Sequence, residues 1–271
     1  ITFTRVTEAV PLLVSGDLDV YAGSISAGLL NIFSQEPYVK AVADRGKMIE
    51  GACTFQAIIV HKDLYESGEI RGAADLAGRK VAATATAMKG YELGVYLATA
   101  GLTYDDVELV DLPQSALVDA LNNKAVDVIV TPEAVLTRLM MTGNAVILSK
   151  GEDDVGPLQT SILAFGPRLV NEDPELGARF LAAYLKGVQK YNEGKTEENI
   201  QAIAGFTGED IDLLEQACWP PMREDGWIDF SYVEPFIQWN FETGQLDTMV
   251  TEEQFWDPSI LEAAVDLLNN E

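Results

Sequence analysis

The sequence predicts an α/β protein of two domains, and three observations predict it. Its 271 residues exceed the usual size of a single core and suit two α/β domains. Short apolar runs alternate with stretches of helical period, which is the grammar of a parallel, doubly wound sheet. A short pattern also recurs: Leu13, Leu18, Asp19 and Val20 match Leu121, Val126, Asp127 and Val128 at one constant offset, each copy being a helix end, a polar turn and a buried strand.

Taken in order, Ile1–Val6 reads as a strand, Glu8–Val14 as a helix and Leu18–Ala22 as a buried strand, with Gly16 and Asp17 in the turn. Ser24 and Ser26 follow that strand, where a hydroxyl oxygen can accept a free amide of the next helix, which carries Leu29, Leu30 and Phe33. The alternation resumes with strand Lys80–Ala83, helix Lys89–Ala98 and strand Val107–Val110. It continues through helix Ser115–Leu121, strand Val126–Val130, helix Pro132–Met140 and strand Ala145–Leu148. A strand over Gln159–Phe165 precedes a long helix opened by Asp173 and Pro174, whose apolar stripe includes Leu181, Leu185 and Val188. Ile211–Trp219, Tyr232–Thr243 and Pro258–Leu268 read as further helices packed on the first domain.

Composition excludes several function classes. Eighteen basic against 43 acidic residues give a formal charge of −25, which repels nucleic acid and anionic membrane surfaces. That charge reads as a solvated acidic surface. No run has the roughly 18 to 20 apolar residues of a membrane span. With one histidine, His61, and two cysteines, no zinc ligand set can be assembled. Cys53 and Cys218 are expected to be buried free thiols, although a bridge between them is geometrically open. The N-terminus shows no basic segment followed by an apolar run, and the chain is expected to start inside a longer precursor.

Candidate ligand contacts lie where strands give way to helices, because open α/β sheets bind ligands at that edge and the first-turn amides there are free. Three junctions qualify: Gly23–Ser26, Thr84–Gly90 and Thr131–Glu133. The second lacks the spacing of a phosphate loop or dinucleotide fingerprint, so no nucleotide and no other cofactor is expected.

The segments LLVSGDLDVYAGSISAGLLN, VKAVADRG, HKDLYESGEIRGAADLAGRKVA, NEDPELGARFLAAYLKGVQKY and WPPMREDGWIDFSYVEPFIQW resemble the solute-binding proteins of ABC importers for nitrate, sulfonates, taurine and thiamine-precursor pyrimidines. The resemblance runs over nearly the whole chain. It implies a two-lobed periplasmic-binding-protein-like (type II) fold, each lobe a doubly wound sheet flanked by helices, with extra C-terminal helices. Lobe one would comprise 1–57 and 160–271 and lobe two 58–159, with crossings near Phe55–Ile59 and Pro157–Ser161. Family members usually begin with a further strand and helix, and this chain is expected to start at the second strand.

The resemblance further implies that a small molecule is captured in an interlobe cleft by hinge closure, outside the cytoplasm, by a monomer that docks on a membrane permease. A signal or lipid anchor would lie ahead of Ile1. Expected ligand contacts are Ser24, Ser26, Phe55, Gln56, Thr84, Thr86, Thr131, Glu133 and Gln159, with Trp219 as a flat apolar wall. Trp227, Trp239 and Trp256 are expected in packing or at the surface. Apart from Lys89 the three junctions carry no cation, which favours an uncharged or heteroaromatic ligand such as a hydroxymethylpyrimidine- or flavin-like vitamin precursor over a sulfonate, taurine or nitrate. Relatives that make the thiamine pyrimidine use a histidine and a cysteine cluster; this sequence has no such cluster, so neither catalysis nor a metal is expected.

Overall fold

The computed structural model describes residues 6–270; the strand expected at Ile1–Val6 lies largely outside them. In chain order the elements are α1 (Val6–Ser15), β1 (Val20–Ser24), α2 (Ala27–Gln35), β2 (Lys40–Asp44), β3 (Lys47–Met48), β4 (Gln56–His61), α3 (Lys62–Glu66), β5 (Lys80–Ala82) and α4 (Met88–Ala98). Then come β6 (Glu108–Val110), α5 (Gln114–Asn122), β7 (Val128–Pro132), α6 (Val135–Met141), β8 (Ala145–Lys150), α7 (Gly151–Val155), β9 (Leu158–Gln159) and β10 (Ser161–Phe165). The remainder is helical: α8 (Pro174–Asn192), α9 (Glu197–Thr207), α10 (Ile211–Gln216), α11 (Glu234–Glu242), α12 (Glu252–Phe255) and α13 (Pro258–Asn269). The architecture is the expected mixed α/β one.

The chain divides into two units. Unit 1 holds the chain up to Lys47, Leu158–Gly194 and the chain from Pro221; unit 2 holds Met48–Pro157 and Lys195–Pro220. The backbone therefore passes from one unit to the other four times, where the sequence suggests two passages. The two extra passages come from residues 195–220, which the sequence assigns to lobe one; the first passage also lies at Lys47–Met48 rather than near Phe55–Ile59, so residues 48–57, expected in lobe one, belong to unit 2. A disulfide holds residues 195–220 in unit 2, and α10 packs its Leu213 and Leu214 with Ile200, Ala217 and Trp219 there. So α10 does not pack on the first domain as expected.

In unit 1, β10 lies between β1 and β2 and is antiparallel to both. Helix α8 starts as its sequence predicts: the Asp173 carboxylate accepts the Leu176 amide at 3.0 Å, and Pro174 sits in the first turn, where a missing N–H costs nothing. Its inner face buries Leu181, Leu185 and Val188. Phe33 and Phe255, both fully buried, meet edge to face at 5.1 Å. Trp227, which is exposed, meets buried Trp256 edge-on, and Trp239 stacks on Phe236.

Unit 2 is built on a five-stranded sheet of order β6-β5-β7-β4-β8. Strands β5, β6 and β7 run parallel, while β4 is antiparallel to both β7 and β8. All six residues of β4 are buried because both faces of this interior strand are covered. Ala57 and Ile59 point into one apolar layer with Leu117 and Leu136, and Ile58 and Val60 into the other with Leu93 and Leu97.

The internal echo extends to backbone geometry. Val20 and Val128 each open a strand, and fully buried Leu13 and Leu121 sit near the ends of the preceding helices. The turn between them carries a left-handed residue at the same offset in both copies, Gly16 at φ 80° and Lys124 at φ 57°.

Candidate functional site

Topology gathers most of the expected contacts of unit 2 at one edge of its sheet. Because β5 and β7 are parallel, the loop after β5, with Thr84 and Thr86, and the end of β7, with Thr131, leave the sheet on the same side. Because β4 is antiparallel to β7, Gln56 faces Pro132 across the ladder, so Phe55 and Gln56 begin at that same edge. The segment bearing Trp219 arrives through the Cys53–Cys218 disulfide, with Cα atoms 5.5 Å apart. Free thiols were expected; the bridge corrects that, and no described cysteine is free.

Individual roles separate within this group. Thr86 is exposed, and no side chain caps α4; the Thr84 hydroxyl instead donates to Asp111 at 3.0 Å. Lys89, in the first turn of α4, is half-buried and makes no ion pair with a described residue; burial holds its pKa below the ordinary value, against the opposing pull of Asp111. The loop approaches its helix closely: a Cβ on Gly90 would overlap the Ala85 carbonyl. Thr131 is fully buried and belongs to β7, which runs on through Pro132, so the helix expected from Pro132 begins only at Val135. Pairing of Thr131 with Ala57 and of Pro132 with Gln56 explains the extension.

The Glu133 carboxylate is occupied within unit 2. It accepts the Thr137 amide at 3.0 Å, the Thr137 hydroxyl at 2.8 Å and the Cys218 amide at 2.8 Å. Gln56 is buried and donates to Glu92 at 2.6 Å. Phe55 is half-buried, and its carbonyl accepts the Glu133 amide at 2.9 Å. Trp219 is half-buried, with its indole N–H donating to the Leu214 carbonyl at 3.1 Å.

Unit 1 holds Ser24, Ser26 and Gln159. Ser24 is the last residue of β1 rather than the first after it; it is exposed and pairs with Ser161 of β10. Ser26 caps α2 by accepting the Leu29 amide at 3.3 Å. Gln159 is buried and donates to the Asp44 carboxylate and to the carbonyls of Gly46 and Ser161.

The centre of this arrangement is a pair of residues the sequence reading passed over. Asp44 ends β2, is fully buried, and accepts from the Gly46 amide at 3.1 Å and the Arg223 amide at 2.7 Å besides Gln159. Its carbonyl takes the Tyr184 hydroxyl at 2.6 Å. Neutral donors thus consume the Asp44 carboxylate and leave the adjacent Arg45 half-buried, without an ion pair to any described residue. Arg45 lies among Tyr21, Tyr184 and Tyr191; burial raises all three phenol pKa values, and the guanidinium pulls each back. Gly46 follows at φ 133°, a conformation that glycine alone adopts easily, and its carbonyl accepts from Gln159, Thr160 and Ser161. Arg45 is thus a half-buried cation whose charge acts on three tyrosines; the sequence signal was the DRG triplet after a strand.

Among the described residues no group of His, Cys, Asp and Glu is arranged to hold a metal ion. None of the described helices is long and apolar enough to cross a membrane.

Comparison with known proteins places these observations in a family. No curated protein matches the sequence. Solved structures do match the fold. The periplasmic aliphatic sulphonate binding protein SsuA from Escherichia coli superposes with a TM-score of 0.73 at 16% identity, over 93% of this chain and 80% of that one. The ligand binding component of an ABC-type import system from Staphylococcus aureus, with zinc bound, gives 0.77 at 14% identity, over 97% and 87%. The desulfurization enzyme DSZB gives 0.68 at 17%, over 92% and 85%. At these identities the likeness is one of fold, and the fold carries both receptors and an enzyme. A family model described as NMT1/THI5 like matches residues 34–194, more than half of the sequence, and the chain belongs to that family.

Proposed function

We propose that this chain is the solute-binding receptor of an ABC importer, which captures one small molecule, does not transform it, and delivers it to a membrane permease. The observation that carries the reading is the gathering of Thr84, Thr86 and Lys89 at the loop edge of the unit 2 sheet, where open α/β sheets take ligands. The fold shared with ABC ligand-binding components over most of both chains supports it. Hinge closure on the ligand, action as a monomer and the ten expected contact residues are part of the proposal. Work outside the cytoplasm is supported by the disulfide, since such bonds persist in oxidising compartments.

Two ligand classes compete. The heteroaromatic vitamin precursor favoured by the sequence would rest on Trp219 and the threonine hydroxyls. An anionic ligand such as an alkanesulfonate is favoured by a specific observation: Arg45 and Lys89 are half-buried cations without ion pairs to described residues, in a chain of net charge −25. A partly desolvated cation without an ion pair carries a desolvation cost that a bound anion offsets. Calorimetric titration of the full chain with ethanesulfonate and with a hydroxymethylpyrimidine tests both readings. Heat from the sulfonate alone supports the anionic class, heat from the pyrimidine alone the heteroaromatic one, and conversion of either compound would overturn the receptor reading.

A further inference from the structure

One buried group of unit 2 is unused in that reading. Glu92, in the second turn of α4, is fully buried; its Oε2 accepts from Gln56, and its Oε1 meets no donor. Two residues of α7, which packs on α4, repeat the pattern. Glu152 accepts the Thr54 hydroxyl at 2.6 Å through Oε1, and Asp154 accepts the Ser149 hydroxyl at 2.6 Å through Oδ1. The second oxygen of each is enclosed and has no partner.

The charged groups around these carboxyls are themselves acidic. Glu152 and Asp154 act on Glu92; Asp153 and Glu152 act on Asp154; Asp154 and Asp75 act on Tyr96, one turn along α4. The cation of α4, Lys89, feels the opposing pull of Asp111 and of none of these three carboxyls. From β4, Gln56 is the side chain that meets Glu92. The three carboxyls are not arranged as a metal-ligand set. A bare carboxylate oxygen in an enclosed site is unfavourable, and a proton removes that charge.

We propose that Glu92 and Asp154 form a proton-operated latch that holds α7 against α4 and the start of β4 when the two are protonated and loosens when they are ionised. The proposal concerns unit 2 by itself. It rests on the receptor reading only in its consequence for ligand, because α4 begins at the loop bearing Thr84 and Thr86 and β4 begins at Gln56.

The direction of the effect follows from burial. Desolvation, opposed by the Gln56 hydrogen bond, raises Glu92 from its ordinary 4.5 to about 8, and desolvation, opposed by Ser149, raises Asp154 from 3.8 to about 6. Between those values the unfolded chain has released protons that the folded chain retains, so the folded state loses stability as pH rises through each window. The contribution of these two groups to stability is full below their ordinary values and lowest above the Glu92 value.

A carbon-detected NMR titration of the full chain tests the latch: the Glu92 carboxyl is expected to titrate near 8, and a midpoint near 4.5 would overturn the proposal. Thermal melting from acid to mildly alkaline pH gives a second readout. The wild type should melt progressively lower as pH rises. Glu92→Gln, which mimics the protonated acid, should flatten that fall and melt above the wild type at high pH; parallel curves would overturn the latch. Should Glu92→Gln not fold, Asp154→Asn gives the same test over the lower window. Both readouts use ligand-free protein, so a failure to bind ethanesulfonate would count against the receptor reading and leave the latch to be judged separately.

Discussion

Glu133 reaches across 85 residues of sequence to accept the backbone N–H of Cys218 at 2.8 Å, while the same carboxylate holds the amide and hydroxyl of Thr137. One side chain therefore fixes the start of α6 and the end of the segment that follows α10. Glu133→Ala is expected to destabilise the protein by about 2 to 3 kcal/mol, because donors in a partly buried setting lose a charged acceptor. Denaturant unfolding checks this. A ligand affinity lowered at unchanged stability would instead make Glu133 a direct ligand contact.

The disulfide closes a loop of 165 residues and ties Lys195–Pro220 into unit 2. Its removal in Cys53→Ala with Cys218→Ala should cost about 2 to 5 kcal/mol, mainly by freeing the unfolded chain. Thiol titration of the oxidised wild type should find no free thiol. Reactive thiols in native protein, or an unfolding midpoint unchanged in the double variant, would contradict this role.

Gly90 sets two rules against each other. Alanine is favoured over glycine within a helix by about 1 kcal/mol, which predicts that Gly90→Ala is stabilising. The added Cβ would overlap the backbone of Ala85, which cannot yield as a flexible side chain would. Packing should win: the variant is expected to melt lower than wild type and to bind ligand less tightly, since the displaced loop carries Thr84 and Thr86. A higher melting temperature would show that the loop yields easily.

Arg45 makes no ion pair with described residues, so Arg45→Gln should leave the melting temperature nearly unchanged. If an anion is the ligand, the same variant loses a charge-assisted hydrogen bond of about 1.5 to 3 kcal/mol, which is about tenfold to more than a hundredfold in affinity. Calorimetry with ethanesulfonate checks it. Equal affinity in variant and wild type would remove Arg45 from the site.

Much of the fold was legible because it is local. The Asp173 cap, the Pro174 start and the apolar stripe of α8 all lie within one stretch of sequence, and the echo around Val20 and Val128 reports a repeated helix-turn-strand unit. What escaped depends on distant partners. Pro132 resembles a helix opener until its pairing with Gln56 is known, and residues 195–220 cannot be assigned to unit 2 without the link from Cys218 to Cys53. Arg45 stands out only once Asp44 is seen to be consumed by Gln159 and two backbone amides. Glu92, in a helix with an ordinary polar pattern, gives no sign in sequence of its complete burial.

The receptor claim is tested most directly by titrating the full chain with ethanesulfonate in a calorimeter and then recovering the ligand for mass analysis. The account predicts saturation at one molecule per chain and recovery of the compound unchanged. Absence of saturable heat would contradict the anionic ligand class, and a chemically altered product, accumulating with time and protein concentration, would contradict the claim that this protein binds without catalysis.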